Sequence, residues 1–459
     1  MDPRLDIPLA PVPIEWLAPL VAAVLVIVSA ALFGRIPLRY NVRNLVVRWR
    51  TTLMTALAFT LVIGLLTVML AFVKGMYRLT ESSGQPANLI LLSAGVTDEA
   101  FSNLAYSDSG DIENQRGVKR NEAGTPLCSK ETYVVVNQPI ENAVAGRPKR
   151  RFVQVRGIDD ALVSAAVHDV ELYEGGEWFS AAGVQSGDTA EGGDTAESVI
   201  EAVIGEGVAR ELGRDPVSQG LASVKKLKRL DVGDTFRMGG RAWKVVGVMK
   251  SAGSTFDSEV WAMRSLVGPL FGKRTYTSMV VRAESVKVAK KLKKYYNDEY
   301  KKAALQAQLE TDYFASLSKT NEQFLYAIVF VAVIMAIGGA FGITNTMLAA
   351  VAQRSKDIGV LRILGYSRWQ VQLCFLVESL FIALLGGMIG CAIGYLADGV
   401  TATSIVGSGQ GGGKSVVLKL IVDSDIVFKC LTLSVAMGLI GGLYPALSTL
   451  RLRPLDILR

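Results

Sequence analysis

Five stretches of the chain are apolar over enough residues to approach or reach the length of a membrane-crossing helix, about 20 residues. They are 17–34, 51–73, 325–347, 375–397 and 430–448, and Glu378 is the one charge inside them. Between the second and third lies a polar block of very different character. Strand-like runs recur there at 88–92, 133–136, 152–155 and 241–248, the last after a Gly239-Gly240 turn. Helical spacing recurs at 198–212 and 286–296. The pattern predicts a membrane protein: an α-helical transmembrane bundle of five spans carrying a large α+β extracytoplasmic domain over residues 78–322, long enough for its own core. Within that domain, 182–197 holds the sequence Gly-Asp-Thr-Ala-Glu twice, at 187–191 and 193–197. It reads as a flexible surface loop, and two copies this short do not make a solenoid.

Charge placement orients the spans. Residues 35–50 carry Arg35, Arg39, Arg43, Arg48 and Arg50 and no acid. Residues 348–374 carry Arg354, Lys356, Arg362 and Arg368 against Asp357, and the tail 449–459 carries Arg451, Arg453 and Arg459 against Asp456. These segments share one side in a five-span topology, and basic segments mark the cytosol. The reading is a multi-pass protein of the inner (cell) membrane, with its N-terminus outside and its C-terminus in the cytosol. The overall charge of +7 in 459 residues is thus a record of topology rather than a nucleic-acid surface. A mean hydropathy of +0.33 with 20% charged residues excludes a disordered chain. Residues 17–34 also resemble a signal peptide in length. Asp2, Asp6 and Glu15 before them have the wrong sign, and cleavage would leave 35–50 outside.

Candidate chemistry is sparse. His168 is the one histidine, which argues against a Ser-His-Asp triad or a multi-histidine metal site, and no metal site is expected. Cys374, Cys391 and Cys430 lie in or beside spans, so Cys128 has no disulfide partner in the outer block. Residues 408–415 read SGQGGGKS and miss the phosphate-cradling pattern at its first glycine. With no good strand before them and β-branched residues after, they read as a flexible Gly-rich loop. Glu378 and Asn345 are polar groups inside spans; an intramembrane carboxylate suggests function or a helix anchor. Gly338 with Gly342, and Gly386, Gly390 and Gly394, recur every four residues and predict close helix packing, within the chain or across a dimer. Lys287, Lys290, Lys291, Lys293 and Lys294 form a basic helix face, a solvated surface or a contact for anionic headgroups.

Residues 354–365 read RSKDIGVLRILG, a short basic amphipathic helix between two spans, suited to docking in a partner's groove. The stretch resembles the coupling helix of FtsX-like permeases of ABC transporters, the MacB/LolC group. Arg354, Ile358, Gly359, Arg362, Leu364 and Gly365 match that group's R-x-x-E-I-G-x-x-R-A-L-G; Asp357 and Ile363 depart from it. Glu378 and the glycines 386–394 match the span that follows, and Asn345 and Met347 the end of the span before it. Gly442, Pro445, Pro454 and Arg459 match the C-terminal motif, and 232–248 resembles the end of the periplasmic core domain. The resemblance covers about 38–459 and divides the chain as 1–34 (an extra span), 35–77 (lead-in helix and second span), 78–322 (MacB-like core domain), 323–350 (third span), 351–371 (coupling helix), 372–398 (fourth span), 399–427 (Gly-rich loop) and 428–459 (fifth span and tail). It implies a non-catalytic permease that couples a separate cytosolic ABC ATPase, through Arg354, Asp357, Gly359, Arg362, Gly365 and Arg368, to the outer domain. It implies no cofactor on this chain, with ATP and Mg on the ATPase. The partners implied are a second permease copy, identical or not, membrane lipids and room for a periplasmic adaptor, with no nucleic acid. The expected task is export or extraction of lipids, lipoproteins, peptides or drugs by mechanotransmission; the alternative is an FtsX-like regulator of an envelope hydrolase.

Overall fold

A computed structural model describes residues 43, 45, 47, 49–81, 83–140, 149–185, 198–250, 254–317, 319–407 and 413–449. The proposed extra span 17–34, most of the lead-in helix, the paired repeat at 187–197, and Pro454 and Arg459 lie outside the described residues. In chain order the elements are α1 (Trp49–Glu81), β1 (Asn88–Ser93), α2 (Tyr106–Glu113), β2 (Cys128–Pro139), β3 (Arg150–Ile158), α3 (Ala161–His168), β4 (Val184–Gln185), β5 (Val199–Gly205), α4 (Glu206–Leu212) and α5 (Ala222–Leu227). Then come β6 (Thr235–Met238), β7 (Arg241–Met249), β8 (Glu259–Met263), α6 (Arg264–Leu270), β9 (Ser278–Arg282), α7 (Val286–Lys294), β10 (Leu305–Leu309), α8 (Glu310–Leu317) and α9 (Lys319–Gln353). The chain ends through α10 (Ser355–Ile363), α11 (Arg368–Tyr395), β11 (Thr401–Gly407), β12 (Gly413–Lys419) and α12 (Ser424–Ser448).

Two units emerge. The first takes residues 1–74, 324–400 and 420–459. Among the described residues four helices are long and apolar enough to cross a membrane: Trp49–Arg78, Leu325–Gln353, Arg368–Tyr395 and Ser424–Ser448. Bilayers offer no hydrophobic force between helices, so close backbone approach and hydrogen bonds must hold them. Gly386, Gly390 and Gly394 lie against α1. A Cβ at Gly390 would stand 2.9 Å from the Thr60 carbonyl oxygen, and one at Gly394 2.5 Å from Thr67 Cβ. Thr60 donates to the Gly386 carbonyl at 3.2 Å. Helix α12 meets α11 at Gly438 and Gly442, and Ser434 donates to the Ala383 carbonyl at 2.6 Å. Gly338 and Gly342 differ: a Cβ at either meets nothing within 4 Å. The α9–α12 contact instead uses Gly339 and Gly441, with Thr344 donating to the Gly441 carbonyl at 2.9 Å.

The second unit takes residues 75–323 and 401–419. Its sheet runs β10-β1-β9-β2-β3-β8-β5-β7-β6, with β4 beside β5. The β3–β8 and β5–β7 pairs are parallel and the rest antiparallel. One core gathers Val155, Ile204, Trp243, Val245 and Val260; another gathers Leu89, Leu91, Met279, Val281 and Tyr296 around α7.

Two sequence expectations need correction here. Residues 198–212 are not one helix but β5 followed by α4. Ile200 to Gly205 are buried without alternation, and a strand covered on both faces loses the period-2 signature. Gly205 makes the switch where a Cβ would sit 2.3 Å from the carbonyl oxygens of Phe256 and Asp257. Second, the segment around the Gly-rich loop is a β-hairpin, in register from Thr401↔Lys419 to Gly407↔Gly413. A strand does precede the SGQGGGKS sequence, but another strand rather than a helix follows, so the helix N-terminus of a phosphate cradle is missing. Residues 408–412 lie outside the described set. The hairpin belongs to the α+β unit: Arg214 donates to Thr401 at 2.9 Å, and the Val417 amide to Ser258 at 2.7 Å. The α+β domain is therefore discontinuous, with a piece of chain from between two spans packed onto it.

Candidate coupling site

The chain leaves α9 at Gln353 and breaks at Arg354, whose backbone is non-helical, before α10 begins. Gly365, at φ +93°, ends α10 in the left-handed region that favours glycine. Tyr366 donates its amide back to the Leu361 carbonyl at 3.1 Å. Ser367 then caps α11 in a capping box with Gln370. A short helix between two turns is thus set by local sequence.

Its inner side is fixed twice. Ile358 packs with Met347, Val351, Val371 and Phe375 in the bundle core. Arg354 grips Glu378 of α11 in a bidentate pair, Nη1–Oε2 at 2.8 Å and Nη2–Oε1 at 3.0 Å. Both side chains are buried. A planar fork matched to a carboxylate is the geometry that makes a buried ion pair tolerable. Sequence reasoning placed these two residues in different categories, one for ATPase coupling and one for an intramembrane polar group; the structure makes them one brace. Gly359 is also buried.

The outer side holds Val360, Ile363, Leu364 and Trp369; the last three are 63%, 70% and 69% exposed. Lys356, Asp357, Gly365 and Arg368 are exposed beside them, and Arg362 is half-buried. The sequence-predicted set therefore divides: Arg354 and Gly359 face inward, Asp357, Gly365 and Arg368 outward. The apolar members were missed as site residues. Their i, i+3, i+4 spacing at 360, 363 and 364 was the available signal. Of the remaining expected positions, Asn345 is exposed on α9, Pro445 is buried in α12, and a Cβ at Gly442 would meet Ser379 Oγ at 2.0 Å.

A second constellation lies in the core of the α+β domain. Arg156 on β3 contacts Glu259 at 2.6 Å, Glu99 at 2.9 Å, and Glu131. His168, at the end of α3, faces Glu131 Oε1 through Nε2 at 2.6 Å and Glu310 Oε1 through Nδ1 at 3.0 Å. Trp261 donates to Glu259 at 2.8 Å, and Asn88 to Glu310 at 2.8 Å. Burial disfavours the charged imidazole, but Glu131 and Glu310 outweigh it and hold His168 at about 9. Burial likewise opposes the Glu131 carboxylate, yet Arg156 and then His168 hold it down at about 2. Sequence reasoning weighed His168 only as a catalytic or metal residue. Among the described residues no group of three or more His, Cys, Asp or Glu is placed to hold a metal. All four cysteines are buried thiols outside any disulfide.

The MacB-like periplasmic core domain matches residues 52–296, more than half of the chain, and the FtsX-like permease C-terminal domain matches 329–454. The chain belongs to this family of ABC transporter permeases. Among its relatives, an ABC transporter permease of Methanocaldococcus jannaschii is 29% identical over 242 residues, covering 50% of this chain and 58% of that protein. The permease YknZ of Bacillus subtilis is 26% identical over 251 residues, 53% of this chain and 60% of YknZ. The macrolide export ATP-binding/permease protein MacB of Burkholderia lata is 24% identical over 355 residues, 74% of this chain and 47% of MacB. The permease therefore spans about half the length of the curated relatives it matches. Among solved structures, the extracellular domain of YknZ aligns at 15% identity and TM-score 0.31, over 48% of this chain and 99% of that one. The periplasmic region of MacB from Actinobacillus actinomycetemcomitans aligns at 14% and 0.32, over 52% and 95%.

Proposed function

We propose that this permease is the membrane subunit of an exporter, and that α10 receives the motion of an ABC ATPase outside this sequence. The observation that carries the reading is the apolar row Val360, Ile363, Leu364 and Trp369, exposed on a helix whose other side is bolted to the bundle by Ile358 and Arg354–Glu378. Such a helix transmits force instead of absorbing it. Basic residues on the adjoining segments support a cytosolic position for α10 and an extracytoplasmic one for the α+β domain, in the cell membrane.

The ATPase supplies ATP and Mg chemistry; this chain moves. A second permease copy, identical or not, completes the assembly. The open surface of α9 around Gly338 and Gly342, with Val333, Ile337 and Phe341 exposed nearby, suits a helix from that copy. The outer domain acts on amphipathic cargo such as lipids, lipoproteins, peptides or drugs, a class consistent with the macrolide export named for the MacB relatives, with a periplasmic adaptor where the envelope requires one. The test is co-purification of the ATPase with the Ile363→Glu/Trp369→Glu variant, both positions being exposed. Loss of the ATPase with the permease still folded is the expected result. Retained binding together with retained transport would remove α10 from the coupling path.

A further inference from the structure

The lysine-rich helix of the α+β domain has no role in the coupling site. Helix α7 buries Ala289 and Leu292 against the core formed by β1, β9 and β10. Ser285 caps its start by accepting from the Val288 amide. Of its other seven positions five are lysine. Two neighbouring cations are neutralised: Lys293 pairs with Asp312 at 3.0 Å and Lys302 with Asp111 at 2.5 Å. Lys287, Lys290, Lys291, Lys294 and Lys301 are exposed and, among the described residues, without an ion pair. Arg116 and Lys119 extend the field from the loop at Gly117, where a Cβ would touch Val288 at 2.5 Å. Exposed Glu284, Asp298 and Glu299 are the opposing acids on or beside the helix, so segment 284–302 keeps seven lysines against three acids.

The position of this field in the chain is as informative as its charge. Asp312, which Lys293 grips, belongs to α8, and α8 is followed directly by α9. The membrane-crossing part of α9 begins at Leu325, thirteen residues beyond Asp312. Thirteen helical residues span about 20 Å, and even a fully extended chain reaches only about 45 Å. The covalent chain and the ion pair therefore bound the separation between α7 and the start of that span. Basic side chains held near a bilayer are attracted by anionic headgroups, over a range set by the Debye length.

We propose that the α7 lysine face is a docking surface for anionic phospholipid headgroups of the leaflet nearest the α+β domain. It would hold that domain's α7 edge down on the membrane until transport motion lifts it. The inference stands apart from the ATPase reading: it needs a membrane, not a nucleotide.

The test uses the full chain in lipid nanodiscs. A spin label is placed on Lys290→Cys, the native cysteines being buried. Its collision with a nickel-chelating headgroup lipid is measured in phosphatidylcholine and in phosphatidylcholine with 30% phosphatidylglycerol (about one headgroup in three anionic). The expected result is a several-fold higher collision rate in the anionic membrane at low salt. That rate should fall toward the zwitterionic value at about 0.5 M salt, where the Debye length is about half its physiological value. It should also fall in the Lys287→Gln/Lys291→Gln/Lys294→Gln background, whose exposed positions leave the core untouched. Equal collision rates in both membranes, or a rate indifferent to salt and to the triple substitution, overturns the proposal and leaves the face to solvent or to an acidic protein.

Discussion

Removing the Glu378 carboxylate while Arg354 stays would leave a guanidinium buried without its anion. The expected cost of Glu378→Gln is about 3–5 kcal/mol, read as a lower unfolding midpoint of the purified permease. Replacing both partners, as Arg354→Met/Glu378→Leu, should recover most of that loss, since a shape-matched apolar pair carries no desolvation penalty. If the double variant is as unstable as the single, the pair is not the brace described here. His168 gives a second residue-scale expectation, with a sign fixed by its surroundings. Its folded value of about 9 lies above the ordinary 6.5, so its contribution is complete below pH 6.5 and is lost as pH rises through 9. A shift of that size corresponds to about 3 kcal/mol. Glu131 is held at about 2 against an ordinary 4.5, so its contribution is present above 4.5 and lost as pH falls through 2. Hydrogen exchange in β2 and α3 should therefore be slowest between about pH 4.5 and 6.5, after correction for the intrinsic rate. In His168→Gln the alkaline limb should vanish; its persistence would place the titrating group elsewhere. Little of this was legible in the sequence. Arg354 and Glu378 are 24 positions apart, and a lone histidine gives no hint of two carboxylates brought to it from β2 and from the start of α8.

At the scale of elements, the spans and the short helix were readable because their signals are local. An apolar run of 20 residues has one solution in a bilayer, and Gly365 and Ser367 punctuate α10 without tertiary help. The glycines show the limit of such reading. The same spacing that seats Gly386, Gly390 and Gly394 against α1 leaves Gly338 and Gly342 in open space, because spacing names a face but not what covers it. This difference yields a paired prediction. Gly390→Val should destabilise the bundle by about 1–3 kcal/mol, as overpacking does, seen as earlier thermal aggregation in detergent. Gly342→Val should leave the isolated chain unaffected and instead weaken association of two permease copies, measured by crosslinking in membranes. Equal effects on the isolated chain would contradict the packing described. Strand β5 and the β11–β12 hairpin were missed for the complementary reason. A fully buried strand lacks alternation, and a Gly-rich sequence resembles a loop until its neighbours pair with it.

At the scale of the molecule, the β11–β12 hairpin arrives from between two spans and packs onto the α+β domain. The domain is thus tied into the membrane chain at more than its two ends. Deleting 401–419 should therefore destabilise the α+β domain itself, with faster proteolysis around Ser258 and α4, where the hairpin packs. A deletion that leaves protease resistance unchanged would make the hairpin an appendage. That discontinuity was invisible in sequence, since the resemblance runs along the chain and not across it. The same connectivity frames the central claim, that a push on α10 reaches the outer domain. The direct measurement is the distance between spin labels on the outer domains of two permease copies, reconstituted with their ATPase in nanodiscs, before and after trapping with ATP and vanadate. The account predicts a nucleotide-dependent change in that distance, abolished when Ile363, Leu364 and Trp369 are replaced by Ser. A distance that ignores nucleotide in the assembled complex, or that still responds in the triple-Ser variant, would contradict it.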